Sequence, residues 1–256
     1  MATFSIDKPE PGIYYGIGYD DYRACTAIAK SDLDRFIAVK DLGRKGVLGS
    51  AFHARVLEGQ DQFRERYAMV DTEFDLRTTD GKATATALRE ANPGKALMRP
   101  KDTLALKALL TTLATNPATA KWLAVEGQTE VTVIGDILDA AGAWCRCKAR
   151  IDKVTERSLS DLKMTHFAFQ NEFVNAISEY GYAVQGAWYT DVYGAIAKKY
   201  PPFFFVCASS NAPGMRENND GAWVQLLTNE QLAFGRAWYR SVLALYGRYG
   251  KEKASA

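Results

Sequence analysis

A carboxylate and an amine lie two positions apart in the stretch Ser160-Asp161-Leu162-Lys163. Residues 156–164 are typical of a strand, and side chains along a strand alternate between its two faces. Asp161 and Lys163 are therefore expected on one face, with Leu162 on the other. A carboxylate that can bind a divalent cation, beside an ammonium that can orient or activate water, is a minimal apparatus for hydrolysing a phosphodiester.

A second carboxylate, Asp152, ends the preceding predicted strand over residues 143–152, which is followed by a turn at residues 152–155. This turn brings Asp152 near Asp161. An isolated Asp-x-Lys is more often a surface salt bridge at a strand end, because short motifs of this kind match by chance. The chemical interpretation therefore depends on the rest of the chain.

Strand 143–152 also carries a row of cations. It is expected to pair as a hairpin with a strand over residues 130–137. Alternation predicts one apolar face, formed by Cys145, Cys147, Ala149 and Ile151. The opposite face carries Trp144, the cations Arg146, Lys148 and Arg150, and then Asp152. Alone, this row indicates a solvated strand face. Beside a metal site, the same row would be a track for DNA phosphates.

One of the two histidines, His53, lies on a predicted helix over residues 48–59. The inward face of this helix is formed by Leu48, Phe52, Val56 and Leu57. A lone histidine on an amphipathic helix is more often structural or solvated than a metal ligand. Metal ligation by His53 is therefore the less frequent alternative.

Further helices are predicted at residues 101–114, 167–180 and 182–197, and a long closing helix follows a capping box of Thr228 and Gln231. Ser31 and Asp34 form a similar box for an early helix. Apolar runs at residues 201–208 and 222–227 predict buried strands. Helix 182–197 places Gln185 and Tyr189 on one face, a pair that is usually amphipathic surface.

The composition limits the classes of function. The 256 residues are 47% hydrophobic, which is enough for a sizeable core, and we expect a single domain over residues 1–256. A net charge of +2 does not indicate nucleic-acid binding by the whole molecule, so any such surface must be local. The absence of a membrane-length apolar run and of a signal-type start predicts a soluble, cytoplasmic protein. The four cysteines lack zinc-type spacing and are expected to be reduced, buried thiols.

Three segments are expected outside the regular core. Residues 1–29 predict an irregular N-terminal arm with a turn at Pro11-Gly12. Residues 60–100 are polar and predict a mobile insertion with a short helix near residues 83–90. Residues 250–256 form a basic tail that we expect to be disordered.

Together, these motifs resemble the RecB-like branch of the PD-(D/E)xK nucleases, and within it most resemble the exonuclease VIII (RecE) nuclease domains of phage-type recombination. The resemblance extends from about residue 27 to residue 246. Its motifs follow in a fixed order: residues 31–33, residues 48–53, Glu130, residues 149–152, residues 161–163, Gln185 and Tyr189. The implied fold is a restriction-endonuclease-like α/β domain, with a central mixed β-sheet flanked by helices and the site at one sheet edge.

The resemblance implies a metal site. His53, Asp152 and Asp161 would ligate Mg²⁺ or Mn²⁺, with the Leu162 carbonyl as a further oxygen ligand. The related four-cysteine iron–sulfur nucleases are disfavoured, because no cysteine flanks the histidine motif or lies near the C-terminus.

The resemblance also implies roles for residues around the metal. Lys163 would position the attacking water, and Glu130 would act on the metal site directly or through water. Gln185 and Tyr189 would line the side that faces DNA. Met164 is a departure, since the family usually has a small polar residue after the lysine.

The implied function is exonuclease digestion of linear double-stranded DNA, 5′ to 3′, by a homo-oligomeric ring or clamp that supplies single strands to an annealing protein. One alternative is a restriction-type or structure-specific endonuclease. Another is a nucleic-acid-binding protein that has lost cleavage. The joint presence of His53, Asp152, Asp161 and Lys163 argues against the second alternative.

Overall fold

The structure is a computed structural model that describes residues 4–37, 46–211 and 221–253. Its helices are α1 (Tyr19–Ala24), α2 (Lys30–Phe36), α3 (Val47–His53), α4 (Gly59–Arg66), α5 (Thr79–Ala91), α6 (Pro100–Thr115), α7 (Pro117–Ala124), α8 (Gln170–Ala176), α9 (Tyr182–Ala197) and α10 (Asn229–Lys253). A π-helical turn, Ala54–Glu58, continues α3. The strands are β1 (Gly12–Tyr14), β2 (Ile28–Ala29), β3 (Tyr67–Met69), β4 (Ala96–Met98), β5 (Gln128–Leu138), β6 (Trp144–Val154), β7 (Leu159–Thr165), β8 (Phe203–Ser209) and β9 (Ala222–Leu226).

The central sheet is mixed. Its strand order is β1-β5-β6-β7-β8-β9, and β2 also pairs with β6. The pairs β2–β6 and β7–β8 are parallel, whereas the other neighbours are antiparallel. Strands β3 and β4 form a separate two-stranded parallel sheet.

Helices cover both faces of the central sheet. One core packs α9 and α10 on the sheet and includes Trp188 and Phe205. The other packs α3, α6 and α7 on it and includes Phe52, Leu162 and Val206. Strand β8 contributes to both cores, which explains why its sequence is continuously apolar. The predicted fold class, a central mixed sheet flanked by helices, is confirmed.

The predicted hairpin of β5 and β6 is present. The turn that joins β6 to β7 lies further along the chain than predicted. Strand β6 continues two residues beyond Asp152, because Lys153 and Val154 pair with Ser160 and Leu159 of β7. The turn is therefore at residues 155–158, where the Thr155 N–H donates to the Ser158 carbonyl at 2.9 Å. The predicted turn at residues 152–155 is wrong for this reason.

The two predicted capping boxes differ in outcome. The box at α10 is confirmed, since Gln231 N–H donates to Thr228 Oγ1 at 3.2 Å and Thr228 N–H donates to Gln231 Oε1 at 2.9 Å. The box at α2 is wrong. That helix begins at Lys30, and its capping carboxylate is Asp32, which accepts the Ala29 N–H at 2.7 Å.

The segments predicted outside the core contain regular structure. The N-terminal arm includes β1, α1 and β2, and its two strands pair with β5 and β6. Residues 60–100 include most of α4, then β3, α5 and β4. The tail was expected to begin at residue 250, whereas helix α10 continues to Lys253; residues 254–256 lie outside the described ranges.

The cysteines match the expectation of free thiols. Cys25, Cys147 and Cys207 are buried and Cys145 is partly buried. Cys145 and Cys147 both contact the core beneath α9, as strand alternation predicts. In the part of the chain that the structure describes, no helix combines the length and apolar composition needed to cross a bilayer.

Candidate active site

The two aspartates of the motif lie where β6 and β7 separate. The last pairs between these strands are Lys153–Ser160 and Val154–Leu159, and Asp152 and Asp161 are the next residues on either strand. The Leu162 N–H donates to Asp152 Oδ2 at 2.7 Å across the widening gap. A backbone donor therefore fixes one carboxylate beside the other strand.

Asp161, Lys163 and Gln185 form a closed polar cluster. Lys163 Nζ lies 2.7 Å from Asp161 Oδ2 and donates to Gln185 Oε1 at 2.9 Å. The amide nitrogen of Gln185 donates to Asp161 Oδ1. One glutamine on α9 thus holds both the carboxylate and the amine of the motif, which the sequence placed on one strand face.

Lys163 remains cationic in this environment. Burial lowers its pKa, but the Asp161 carboxylate and then Tyr182 outweigh that effect, and the net result is a raised pKa. Its ammonium also lies 5.3 Å from the ring centre of Tyr182 and 5.4 Å from that of Phe205. Lys163 therefore acts as a fixed positive charge and not as a neutral base.

The structure brings His53 to the same place. His53 Nδ1 lies 3.6 Å from Asp152 Oδ2, and both side chains are only 12% exposed. His53 is the last residue of α3, whose Ala51 and Phe52 are anchored in the core. The π-helical turn begins at the next residue, and such turns occur frequently at functional sites because they reorient a side chain locally.

The donor atoms are of the types that Mg²⁺ and Mn²⁺ bind, but they are not gathered as a complete site. Among the described residues, no three His, Cys, Asp or Glu side chains form a cluster that could hold a metal ion. Asp161 Oδ2 is buried, and its partner is Lys163 Nζ at 2.7 Å. A buried carboxylate oxygen with remaining acceptor capacity, next to a histidine–aspartate pair, fits a cation ligand.

Tyr189 lies one helical turn after Gln185 on α9. Burial raises its pKa well above the ordinary value, and the charges of Asp161 and Asp152 add to the effect, so the phenol stays neutral. Gln185 of the predicted pair donates to Asp161, and Tyr189 is close enough for both aspartates to act on its pKa. Tyr182, which contacts Lys163 from the same helix, was missed, although its position three residues before Gln185 could have indicated it.

Glu130 is placed differently from the prediction. It lies opposite Asp152, between the pairs Thr129–Lys153 and Val131–Ile151, and has a left-handed φ of 54°. Its carboxylate forms an ion pair with Arg150. Sparsely populated backbone of this kind is often found at functional sites. The observed partner is nevertheless a guanidinium, and direct action of Glu130 on a metal stays a prediction.

The cation row of β6 is covered by the N-terminal arm. Lys148 is buried, and its Nζ donates to the carbonyls of Tyr22 at 2.8 Å and of Cys25 at 2.6 Å. Arg150 donates to the Ile17 carbonyl at 2.7 Å, and Arg146 pairs with Asp136 at 2.6 Å and also binds a carbonyl of the arm. These contacts do not favour the predicted phosphate track, because the row anchors the arm. The sequence could not indicate this, since the carbonyl groups belong to a distant segment.

The comparisons agree with this geometry. Residues 39–239 match the model of the PDDEXK-like domain of unknown function, DUF3799. Fold, motif and family together define a PDDEXK-like domain, and the chain belongs to the DUF3799 family.

A similar solved structure is that of a protein from Eubacterium rectale described as a "putative exonuclease". The two superpose with a TM-score of 0.60 over 94% of this chain and 88% of that chain, at 14% identity. At this identity the likeness is evidence for the fold. None of the curated proteins matches the chain.

Proposed function

We propose that this protein is a divalent-metal-dependent exonuclease that digests linear double-stranded DNA 5′ to 3′. The observation that carries the proposal is the cluster of Asp161, Lys163 and Gln185, next to the Asp152–His53 pair, where two sheet strands separate. The resemblance of the motifs to exonuclease VIII-type domains supports the polarity and the action on ends.

The metal would be held by this chain's own donors. Asp152 and Asp161 would supply carboxylate oxygens, His53 an imidazole nitrogen and Leu162 its carbonyl. When bound, Mg²⁺ or Mn²⁺ would acidify a water molecule and neutralise charge that develops on the phosphate. Asp161 Oδ2 has Lys163 Nζ as its partner at 2.7 Å, and a carboxylate oxygen with one partner can still bind a cation.

Lys163 would act on the phosphate directly, and Gln185 would position Lys163 and Asp161. A buried ammonium beside the scissile phosphate stabilises negative charge that increases in the transition state. Lys163 is suited to this role because its neighbours keep it protonated. Gln185 holds the ammonium and the Asp161 carboxylate in one geometry, so both reach the phosphate without reorganisation.

The charge distribution supports an oligomeric assembly on double-stranded DNA. A chain with a net charge of +2, whose β6 cations are bound to the arm, has little non-specific attraction for DNA. Retention over many turnovers would need several subunits around the duplex, because escape would then require all of them to release it. We therefore propose a homo-oligomeric ring or clamp, which passes single strands to an annealing protein.

The test compares end-labelled linear duplex with covalently closed circles, in Mg²⁺ and in Mn²⁺. The expected result is loss of the linear DNA and survival of the circles, and no cleavage by folded Asp161→Asn or Lys163→Met variants. Rapid nicking of circles would assign the protein to the endonucleases. Duplex binding with no cleavage in either metal would make it a binding protein.

A further inference from the structure

An open cavity lies away from the candidate active site. Its volume is about 1060 Å³, and its walls are the end of β5, the start of β6, the end of α9 and part of α10. Gly194 of its lining is nine residues after Gln185 on α9, which is about 14 Å along the helix axis. We call this cavity the distal groove. It shares no lining residue with the Asp161–Lys163 cluster.

The distal groove presents two exposed aromatic side chains. Trp144 is 71% exposed, more than any other large hydrophobic side chain in the described ranges, and Tyr200 is 65% exposed. The Tyr200 ring lies against the backbone of α9, since a Cβ on Gly194 would come within 2.2 Å of its Cε1. The position of the Tyr200 ring is therefore fixed by packing, although the ring is exposed to solvent. Large aromatic side chains left in water at the wall of a cavity are typical of a binding surface.

Four charged residues line the distal groove: Asp136, Asp191, Lys198 and Arg240. Both carboxylates are paired with cations outside the lining, Asp136 with Arg146 at 2.6 Å. Asp191 is already neutralised by Arg236, whose Nε and Nη2 both donate to its carboxylate at 2.6 Å. Arg240 Nη2 lies 3.7 Å from the same carboxylate, and its Nε is buried with no hydrogen-bond acceptor among the described residues. Lys198 lines the same cavity. The Arg240 side chain is 38% exposed, so the accessible part of its guanidinium can bind an anion in the groove.

We propose that the distal groove binds a nucleotide unit, with the base stacked on Trp144 or Tyr200 and the phosphate bound by Arg240. Aromatic rings combined with cations are the general chemistry of single-strand recognition, because every base has a stacking face and every unit a phosphate. The choice of a nucleotide over another aromatic anion rests on the proposed function. The binding itself requires neither metal nor cleavage.

The test is binding of a fluorescent oligothymidylate to the full-length protein in metal-free buffer. At least one of Trp144→Ala and Tyr200→Ala is expected to weaken binding about tenfold, the usual loss for one stacked base. Arg240→Gln should weaken binding and reduce the slope of log K against log salt by about 0.7, the value for one phosphate of a single strand. Gly194→Ala should act like Tyr200→Ala, because it displaces the ring without removing any aromatic group or charge.

The matched control is Tyr249→Ala, which removes an exposed tyrosine of α10 outside the groove and should leave affinity unchanged. Thymidine 5′-monophosphate serves as competitor. Equal affinity for it identifies a free nucleotide as the ligand, and preference for the oligomer identifies a strand. Both outcomes support nucleotide binding in the distal groove.

Two results would overturn the proposal. One is unchanged oligonucleotide affinity in all four groove variants. The other is a change in oligomeric state, measured by light scattering, in place of a change in affinity, since the groove would then be a contact between subunits. If the protein cleaves DNA but the groove variants bind as the wild type does, nucleotide binding in the distal groove is refuted and the nuclease proposal stands. If the groove variants lose binding but the wild type does not cleave DNA, binding in the distal groove is supported and the nuclease proposal is refuted.

Discussion

Replacing Gln185 by alanine is the most direct test of the cluster. The change removes the hydrogen bond to Asp161 Oδ1 and the one from Lys163 Nζ, and leaves the 2.7 Å contact between Asp161 and Lys163. Hydrogen bonds to charged groups contribute about 1.5–3 kcal/mol each. A loss of about 3 kcal/mol in the transition state corresponds to roughly a hundredfold lower rate. The fold should survive, with a melting temperature lower by a few degrees.

The rate is measured as single-turnover cleavage of end-labelled linear duplex, and stability by thermal melting followed by circular dichroism. Gln62→Ala, at an exposed position on α4, is the matched control and should keep the wild-type rate. Gln185→Glu removes the N–H donor to Asp161 but keeps the size of the side chain, so it separates the effect of the hydrogen bond from that of the lost volume. It keeps the acceptor for Lys163 but turns a carboxylate towards Asp161, so it should be at least as inactive as Gln185→Ala. A folded Gln185→Ala protein with wild-type single-turnover rates would refute the idea that this side chain positions the motif.

His53→Ala should weaken Mn²⁺ binding in calorimetry while the metal-free protein melts nearly as the wild type; strong destabilisation with unchanged affinity would indicate a structural histidine instead. The pKa of Lys163 is raised above its ordinary value of 10.5, because Asp161 and Tyr182 outweigh the effect of burial. The contribution of the ion pair is therefore complete at neutral pH and is lost only as the pH rises above 10.5. The difference in urea stability between wild type and Lys163→Met should stay constant from neutral pH to about pH 10. A stability difference that falls with an apparent pKa near neutrality would contradict a raised pKa of Lys163. Asn116→Ala removes two acceptor contacts at the start of α7 and a donor contact to a carbonyl of β9. It should cost about 1–2 kcal/mol of stability in urea titration and leave cleavage unchanged, whereas unaltered stability would contradict the capping role.

The elements that carry the motif could be predicted from the sequence because their signals are local. Alternation along β6 and β7 determines which side chains share a face, and it placed Asp161 and Lys163 together. Helical spacing placed Gln185 and Tyr189 on one side of α9, and a capping box marked the start of α10. The turn after β6 and the start of α2 were misplaced, because strand pairing and a different capping carboxylate decided them.

Contacts between distant segments were decided by tertiary structure alone. Gln185 reaches Asp161 only because α9 packs across the sheet, and His53 reaches Asp152 only because α3 packs on the opposite side. The cations of β6 looked accessible in the sequence, yet carbonyl groups of the arm cover them. The distal groove likewise has no signal in the chain, since Trp144 and Tyr200 come from separate elements. Sequence periodicity specifies the face on which a side chain lies, whereas packing determines what that face meets.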